Sequence, residues 1–278
     1  MIPLGHFAMR RPRYGSRSWH MLIMEPAMKN KFALLLSVLL LAIAGPACAE
    51  SLTVAVAANV KYAFDDLQDA FRKESGIDIK PIFSSSGKIT AQVKSGAPYD
   101  VFLSADMAYP EALHRDGFAA APRIYGYGSL VVWSMNDFDL KNWPALMGSA
   151  SVNKIAIPNP KLAPYGREAV KALRHLKVYE TVEAKLVYGE SIAQTNQYIH
   201  SRAAEIGFTA KSVVVSPEMK GQGKWVDVPK DAYEPIAQGV VILKHGRETN
   251  AAAAAKFHDF LASARARAIF LQYGYLLP

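Results

Sequence analysis

The sequence predicts an α/β protein of two lobes, with mostly parallel sheets covered by helices on both faces. Short apolar runs alternate with amphipathic helical stretches along the chain, the sequence form of repeated strand-helix units. The first helical stretch sets Ala63, Leu67, Ala70 and Phe71 at spacings of three and four, an apolar stripe opposite a charged face. Removing a 49-residue leader from 278 leaves 229 residues, enough for two lobes of ordinary domain size.

Residues 1–49 read as that leader. Lys29 and Lys31 precede a 13-residue apolar run, Phe32 to Ala44, followed by Ala47-Cys48-Ala49. This is the build of a secretory signal peptide cleaved after Ala49, and the run is shorter than the roughly 20 residues of a membrane-spanning helix. Met21, Met24 and Met28 offer later starts, so residues 1–27 also fit a start placed too far upstream. Cys48, the only cysteine, would leave with the leader, and the mature chain would have neither disulfide nor cysteine metal ligand. A lipoprotein cysteine is disfavoured, because Gly45-Pro46-Ala47 lacks a large aliphatic residue three positions before it.

The first units are a strand at 52–57 with a helix at 60–75, a strand at 79–83 with a helix at 88–94, and a strand at 100–104 with a helix at 107–115. A second set runs through a strand at 130–133, a strand at 155–158 with a helix at 166–176, a strand at 185–188 with a helix at 192–201, and a strand at 206–209. A last strand at 239–244 leads into an Ala-rich helix at 251–262 that buries Phe257, Phe260 and Leu261.

The net charge of +8 overstates the mature chain. The leader holds 6 Lys/Arg and 1 acidic residue, leaving 26 against 23, a net of +3. No dense basic stripe with interleaved aromatics appears, which argues against nucleic-acid binding.

Ligands of open α/β sheets sit at the carboxyl ends of strands, so the strand-to-helix loops are the candidate site. Four loops stand out: Ala57-Ala58-Asn59-Val60, Ser84-Ser85-Ser86-Gly87-Lys88, Ala163-Pro164-Tyr165-Gly166 and Glu190-Ser191-Ile192-Ala193. Each precedes a predicted helix, whose free N-H groups and positive dipole end favour an anion. Taken singly, each reads as ordinary capping, since Asn and Ser are favoured N-caps and Pro is common in a first turn. Four together point to an anion or small polar ligand.

Enzyme motifs fit poorly. Ser86-Gly87-Lys88-Ile89 shares the end of a phosphate-binding P-loop, but Ile82 stands where that motif needs Gly and Ile89 where it needs Ser or Thr. There is no G-x-S-x-G elbow and no H-E-x-x-H motif, and His114, His175, His200, His245 and His258 are scattered. Asp100 and Asp106 read as structural.

Four segments carry a resemblance: T-V-A-V-A-A-N at 53–59, F-S-S-S-G-K at 83–88, S-G-A-P-Y-D-V-F-L-S-A-D at 95–106 and Q-Y-G-Y at 272–275. In these the chain, from Leu52 to Tyr275, resembles the periplasmic molybdate-binding protein family. The resemblance implies a two-lobed class II periplasmic binding fold whose chain crosses twice between lobes. Lobe 1 would be 50–127 plus 237–278, and lobe 2 would be 128–236. It implies a periplasmic monomer without catalytic activity or cofactor, which holds molybdate or tungstate in the cleft and passes it to the membrane permease of an ATP-driven importer.

Carried over residue by residue, the family's ligand positions fall on Asn59, beside Ala58, and on Ser86, Tyr165 and Ile192. They would hold the oxyanion through hydroxyl and backbone N-H groups, with no direct protein-metal bond. Three positions depart from the family pattern: Asn59 stands where Ser is usual, Tyr165 where a small residue is usual, and Ala210 where a Tyr often stands. The expectation is that the Tyr165 hydroxyl replaces the one missing at Ala210. A cage made only of donors would reject hydrogen phosphate, which needs an acceptor. The same fold could take sulfate, an organic acid or an amino acid. The last two call for a cation in the cleft, where Arg167 is the only candidate and is expected to face solvent. A secreted serine hydrolase using Ser86 lacks a base and an orienting acid.

Overall fold

A computed structural model describes residues 51–278; the expected signal peptide, the expected cleavage after Ala49 and Cys48 lie outside the described residues. Among the described residues ten strands form two sheets. They are β1 (Ser51–Ala57), β2 (Asp78–Ser84), β3 (Val101–Leu103), β4 (Arg123–Gly128), β5 (Leu130–Ser134), β6 (Ile155–Pro158), β7 (Leu186–Gly189), β8 (Ile206–Ala210), β9 (Lys224–Asp227) and β10 (Ile236–Ile242). The first sheet has the order β2-β1-β3-β10-β4 and the second β7-β6-β8-β5-β9.

Each sheet has one strand running against the other four. In the first it is β10, antiparallel to β3 and β4. In the second it is β5, antiparallel to β8 and β9. These are the two strands the chain enters directly from the other sheet, β5 after Ser129 alone and β10 after the segment following β9. Parallel neighbours require a crossover connection, and these entries have none. The α/β class with mostly parallel sheets is what the structure has.

Six helices lie where the sequence places them: Lys61–Ser75, Ser86–Lys94, Ala108–Arg115, Pro164–His175, Ile192–His200 and Ala251–Phe260. Ala58–Val60 forms a separate 3-10 turn before the first. Each lobe has its own apolar core. In one, Phe257 meets Phe64 and Phe71 edge-on with ring centroids 6.2 and 5.1 Å apart. In the other, Trp143 meets Phe208 edge-on at 5.4 Å, within a cluster that includes Trp133.

The sequence reading missed strands β4 and β9, the helix Ala264–Gln272 and the short helices Trp143–Gly148, Tyr179–Val182, Lys211–Val214 and Lys244–Thr249. Both strands are sheet edges. β4 carries Gly126 and Gly128, and β9 is polar and half-exposed, so neither has the apolar run that marks an inner strand. The last strand begins at Ile236, earlier than expected, because residues 236–238 pair with the unforeseen β4.

Asp100 ties the first sheet together. Its carboxylate accepts from the Thr53 amide at 2.7 Å and from Asn250 Nδ2 at 3.1 Å, and faces His245 Nδ1 at 2.9 Å. Among the described residues, no helix is long and apolar enough to cross a membrane.

Candidate functional site

The four loops converge on one cavity. Its wall is Ala57, Ala58, Asn59, Ser85, Ser86, Ala105, Ala163, Pro164, Tyr165 and Ile192. All five residues singled out from the sequence, Ala58, Asn59, Ser86, Tyr165 and Ile192, therefore meet in one place. The space between the walls has room for about one water-sized sphere, about 10 Å³ for the positions of its centre. That is below the roughly 300 to 1,000 Å³ of sites for drug-sized ligands and suits a small ion. None of the lining side chains is ionisable to a cation or carboxylate.

The 3-10 turn after β1 brings Asn59 into the wall, 1% exposed. Its Nδ2 donates to Gln238 Oε1 at 2.9 Å and to the Tyr275 hydroxyl at 3.3 Å. Its carbonyl accepts from Ser212 Oγ at 2.7 Å, across the cleft. Asn59 Oδ1 has no partner among the described residues. The cage therefore contains an acceptor, which corrects the expectation of a wall made only of donors.

Ser85 precedes the helix Ser86–Lys94 in extended conformation, yet its hydroxyl makes no cap bond and is a second buried polar atom without a partner. Capping thus fails to explain it. Ser86 Oγ accepts from the Ala105 amide at 3.0 Å, which leaves its own hydrogen to give. The helix Pro164–His175 also starts without a side-chain cap, and its second residue, Tyr165, is 1% exposed. The N-H groups of such first turns have no intrahelical acceptor. At the fourth loop capping does operate: Ser191 Oγ accepts from the Gln194 amide at 3.4 Å, and Ile192 opens the helix.

Ala210 ends β8, fully buried, and is not part of the wall. The Tyr165 hydroxyl accepts from Gln238 Nε2 at 3.0 Å. A Cβ on Gly128 would overlap both that hydroxyl and Gln238, so the glycine clears their meeting point. Burial, with Tyr275 nearby as a secondary cause, pushes the Tyr165 phenol well above its ordinary pKa, so it stays a neutral hydroxyl.

The buried tyrosines behind the site predict a specific pH response. Burial pushes Tyr275 up from the ordinary 10 to about 12. Its contribution is whole below pH 10 and is lost as pH rises toward 12, because there the unfolded chain releases a proton that the folded one keeps. Two pH units at about 1.4 kcal/mol each give a loss on the order of 3 kcal/mol. Denaturant unfolding at pH 9 and near pH 12 should show it, and Tyr275→Phe should flatten the decline.

Arg167 does not face solvent as expected. It pairs with Asp106 across the cleft, and its guanidinium lies 5.4 Å from the Tyr109 ring centroid. It is absent from the cavity wall and is committed to joining the lobes. Further bridges run between Lys88 and Glu190 at 2.8 Å and from the Gly87 amide to the Leu162 carbonyl at 2.9 Å. Sequence reasoning missed Ser85, Ala105 and Gln238. The triple serine offered a signal for the first, but nothing local marked the others.

A family model described as bacterial extracellular solute-binding protein matches residues 52–276. The molybdate-binding protein ModA of Rhodobacter capsulatus is 37% identical over 240 residues, covering 86% of this chain and 93% of that protein. The molybdate-binding protein ModA of Azotobacter vinelandii is 37% identical over 229 residues, 82% of this chain and 90% of that protein. The solved Azotobacter vinelandii periplasmic molybdate-binding protein superposes with a TM-score of 0.77 at 34% identity, over 82% of this chain and 99% of that one. The chain belongs to the bacterial extracellular solute-binding protein family, as a homologue of periplasmic molybdate-binding proteins.

Proposed function

We propose that this protein captures molybdate or tungstate in the periplasm and delivers it to the membrane permease of an ATP-driven importer. The observation that carries the reading is the cavity itself: small, walled by four strand-to-helix loops, with no ionised side chain and with a free Ser85 hydroxyl. Helix starts from both lobes supply N-H groups and positive dipole ends, which hold an anion without a counter-charge.

In this reading Asn59, Ser86 and Ile192, with Ala58 and Ser85, bind the oxygens, Tyr165 offers them the backbone N-H of its helix start, and no protein atom touches the metal. Lobe 1 is 50–127 plus 237–278, and lobe 2 is 128–236. The protein acts as a monomer without cofactor and turns over no substrate, and its leader is removed after Ala49. An amino acid or larger organic acid is disfavoured by the small cavity and by Arg167 being bound to Asp106. Sulfate shares the shape and charge of the proposed ligand.

Calorimetric titration with molybdate, tungstate, sulfate and phosphate in separate runs is the test. One-to-one binding of molybdate or tungstate, with sulfate silent, is the expected result. Binding of sulfate alone would move the assignment to the second reading. Heat from none of them, in folded and ligand-free protein, would end the oxyanion assignment.

A further inference from the structure

Gln238 sits at the register shift of β10, fully buried, 179 residues from Asn59 and 73 from Tyr165 in sequence. Its Oε1 accepts from Asn59 Nδ2 at 2.9 Å and from the Tyr125 hydroxyl at 2.6 Å. Its Nε2 donates to the Tyr165 hydroxyl at 3.0 Å. One side-chain amide therefore holds two residues of the cavity wall from behind. Asn59 Oδ1, meanwhile, is buried without a partner. Such an orphan costs about 1 to 3 kcal/mol, and beside an ionised anion it would set lone pair against lone pair.

The same side chains have a second arrangement, which gives up the 3.3 Å bond from Asn59 Nδ2 to the Tyr275 hydroxyl and gains one from Gln238 Nε2 to the Tyr125 oxygen. Suppose both amides make a half turn. Gln238 Nε2 then donates to Asn59 Oδ1 and to the Tyr125 oxygen, whose own hydrogen goes to the Ser104 carbonyl 3.1 Å away. The Tyr165 hydroxyl donates to Gln238 Oε1, and Asn59 Nδ2 takes the orphaned position as a donor. A primary amide has donors on one arm and an acceptor on the other, so the two residues cannot turn independently without losing bonds.

We propose that Gln238 is a specificity-determining positioning residue: turning with Asn59, it decides whether Tyr165 or Asn59 is the donor that meets the guest. A fully ionised oxyanion selects the Asn59 arrangement. A guest carrying one hydrogen is met instead by Asn59 Oδ1 and the Tyr165 hydrogen. This rests on the reading of the cavity as an oxyanion site.

The test is a mutant cycle read by calorimetric titration with molybdate: wild type, Tyr165→Phe, Asn59→Ala and the double variant, each with Gln238 intact and as Gln238→Met. With Asn59 present, Tyr165→Phe should change affinity by less than about threefold, because the variant keeps the backbone N-H that faces the anion and loses only a hydroxyl that donates to Gln238. In the Asn59→Ala background it should cost about tenfold, because Gln238 returns to the first arrangement and the Tyr165 hydrogen becomes the donor. Gln238→Met should erase that dependence. An equal cost of Tyr165→Phe in both backgrounds would overturn the proposal. If no oxyanion binds the wild type, the oxyanion reading fails, and the side-chain amide NMR signals of Asn59 in ligand-free protein decide this one. Tyr165→Phe removes the acceptor of Gln238 Nε2, so those signals should shift; unmoved signals would sink the coupling.

Discussion

Gly87→Ala should weaken oxyanion binding by about tenfold to a hundredfold while leaving the ligand-free protein as stable as before, or more so. Gly87 is the second residue of the helix Ser86–Lys94 and has no positive backbone angle, so alanine fits the local conformation and favours the helix by up to about 1 kcal/mol. The obstruction comes from Tyr109 in the same lobe and from Leu162 across the cleft. A Cβ there would come 2.6 Å from the Tyr109 hydroxyl, 3.0 Å from the Leu162 carbonyl oxygen and 3.1 Å from Leu162 Cα. The tyrosine tip can swing away, but the Leu162 backbone cannot.

Overpacking of this kind costs about 1 to 3 kcal/mol, and here it falls only on the closed form. A ligand that needs donors from both lobes binds the closed form better, so raising that form's energy lowers apparent affinity by the same factor. Small-angle scattering at a ligand concentration that just saturates the wild type should show incomplete compaction of the variant. Wild-type affinity in Gly87→Ala would mean that the lobes do not close against Gly87 when ligand binds.

Much of this site was legible in the sequence because helix starts advertise themselves locally. Small and hydroxyl residues ahead of an amphipathic stretch gave four loops, and Asn59, Ser86, Tyr165 and Ile192 meet in one cavity. What the sequence could not convey was anything decided by the partner of a side chain. Ser84, Ser85 and Ser86 are chemically equal in one dimension; only the fold turns one hydroxyl to the Ala105 amide and leaves its neighbour bare. Gln238 looks like any polar residue in an apolar strand until β10 brings it against Asn59 and Tyr165. Arg167 was placed toward solvent by its helix position, and its stem reaches back to Asp106 because the other lobe supplies a carboxylate there. The edge strands β4 and β9 were lost for a related reason: an edge needs less apolar sequence, so its pattern is weak.

The two neighbouring serines should separate in a way that tests whether the cavity is built for an anion. Ser85 Oγ has no hydrogen-bond partner and is buried at 4% exposure, so Ser85→Ala removes an unsatisfied polar atom. The ligand-free variant should unfold at the same temperature as wild type or higher. Its affinity should nevertheless fall, because a donor to a charged acceptor is worth about 1.5 to 3 kcal/mol, about tenfold to a hundredfold in affinity. Ser86→Ala should lower both quantities, since it also leaves the buried Ala105 amide without the acceptor it has at 3.0 Å. With both replaced, the anion loses the two hydroxyls of this helix start, and affinity should drop by about a hundredfold or more. Thermal unfolding with and without saturating molybdate reads both effects at once, because ligand stabilisation scales as RT ln(1 + [L]/Kd). The diagnostic result is opposite signs at Ser85, a ligand-free protein no weaker and a ligand-induced shift much smaller. Stability and binding falling together there would mean that the hydroxyl serves the fold after all.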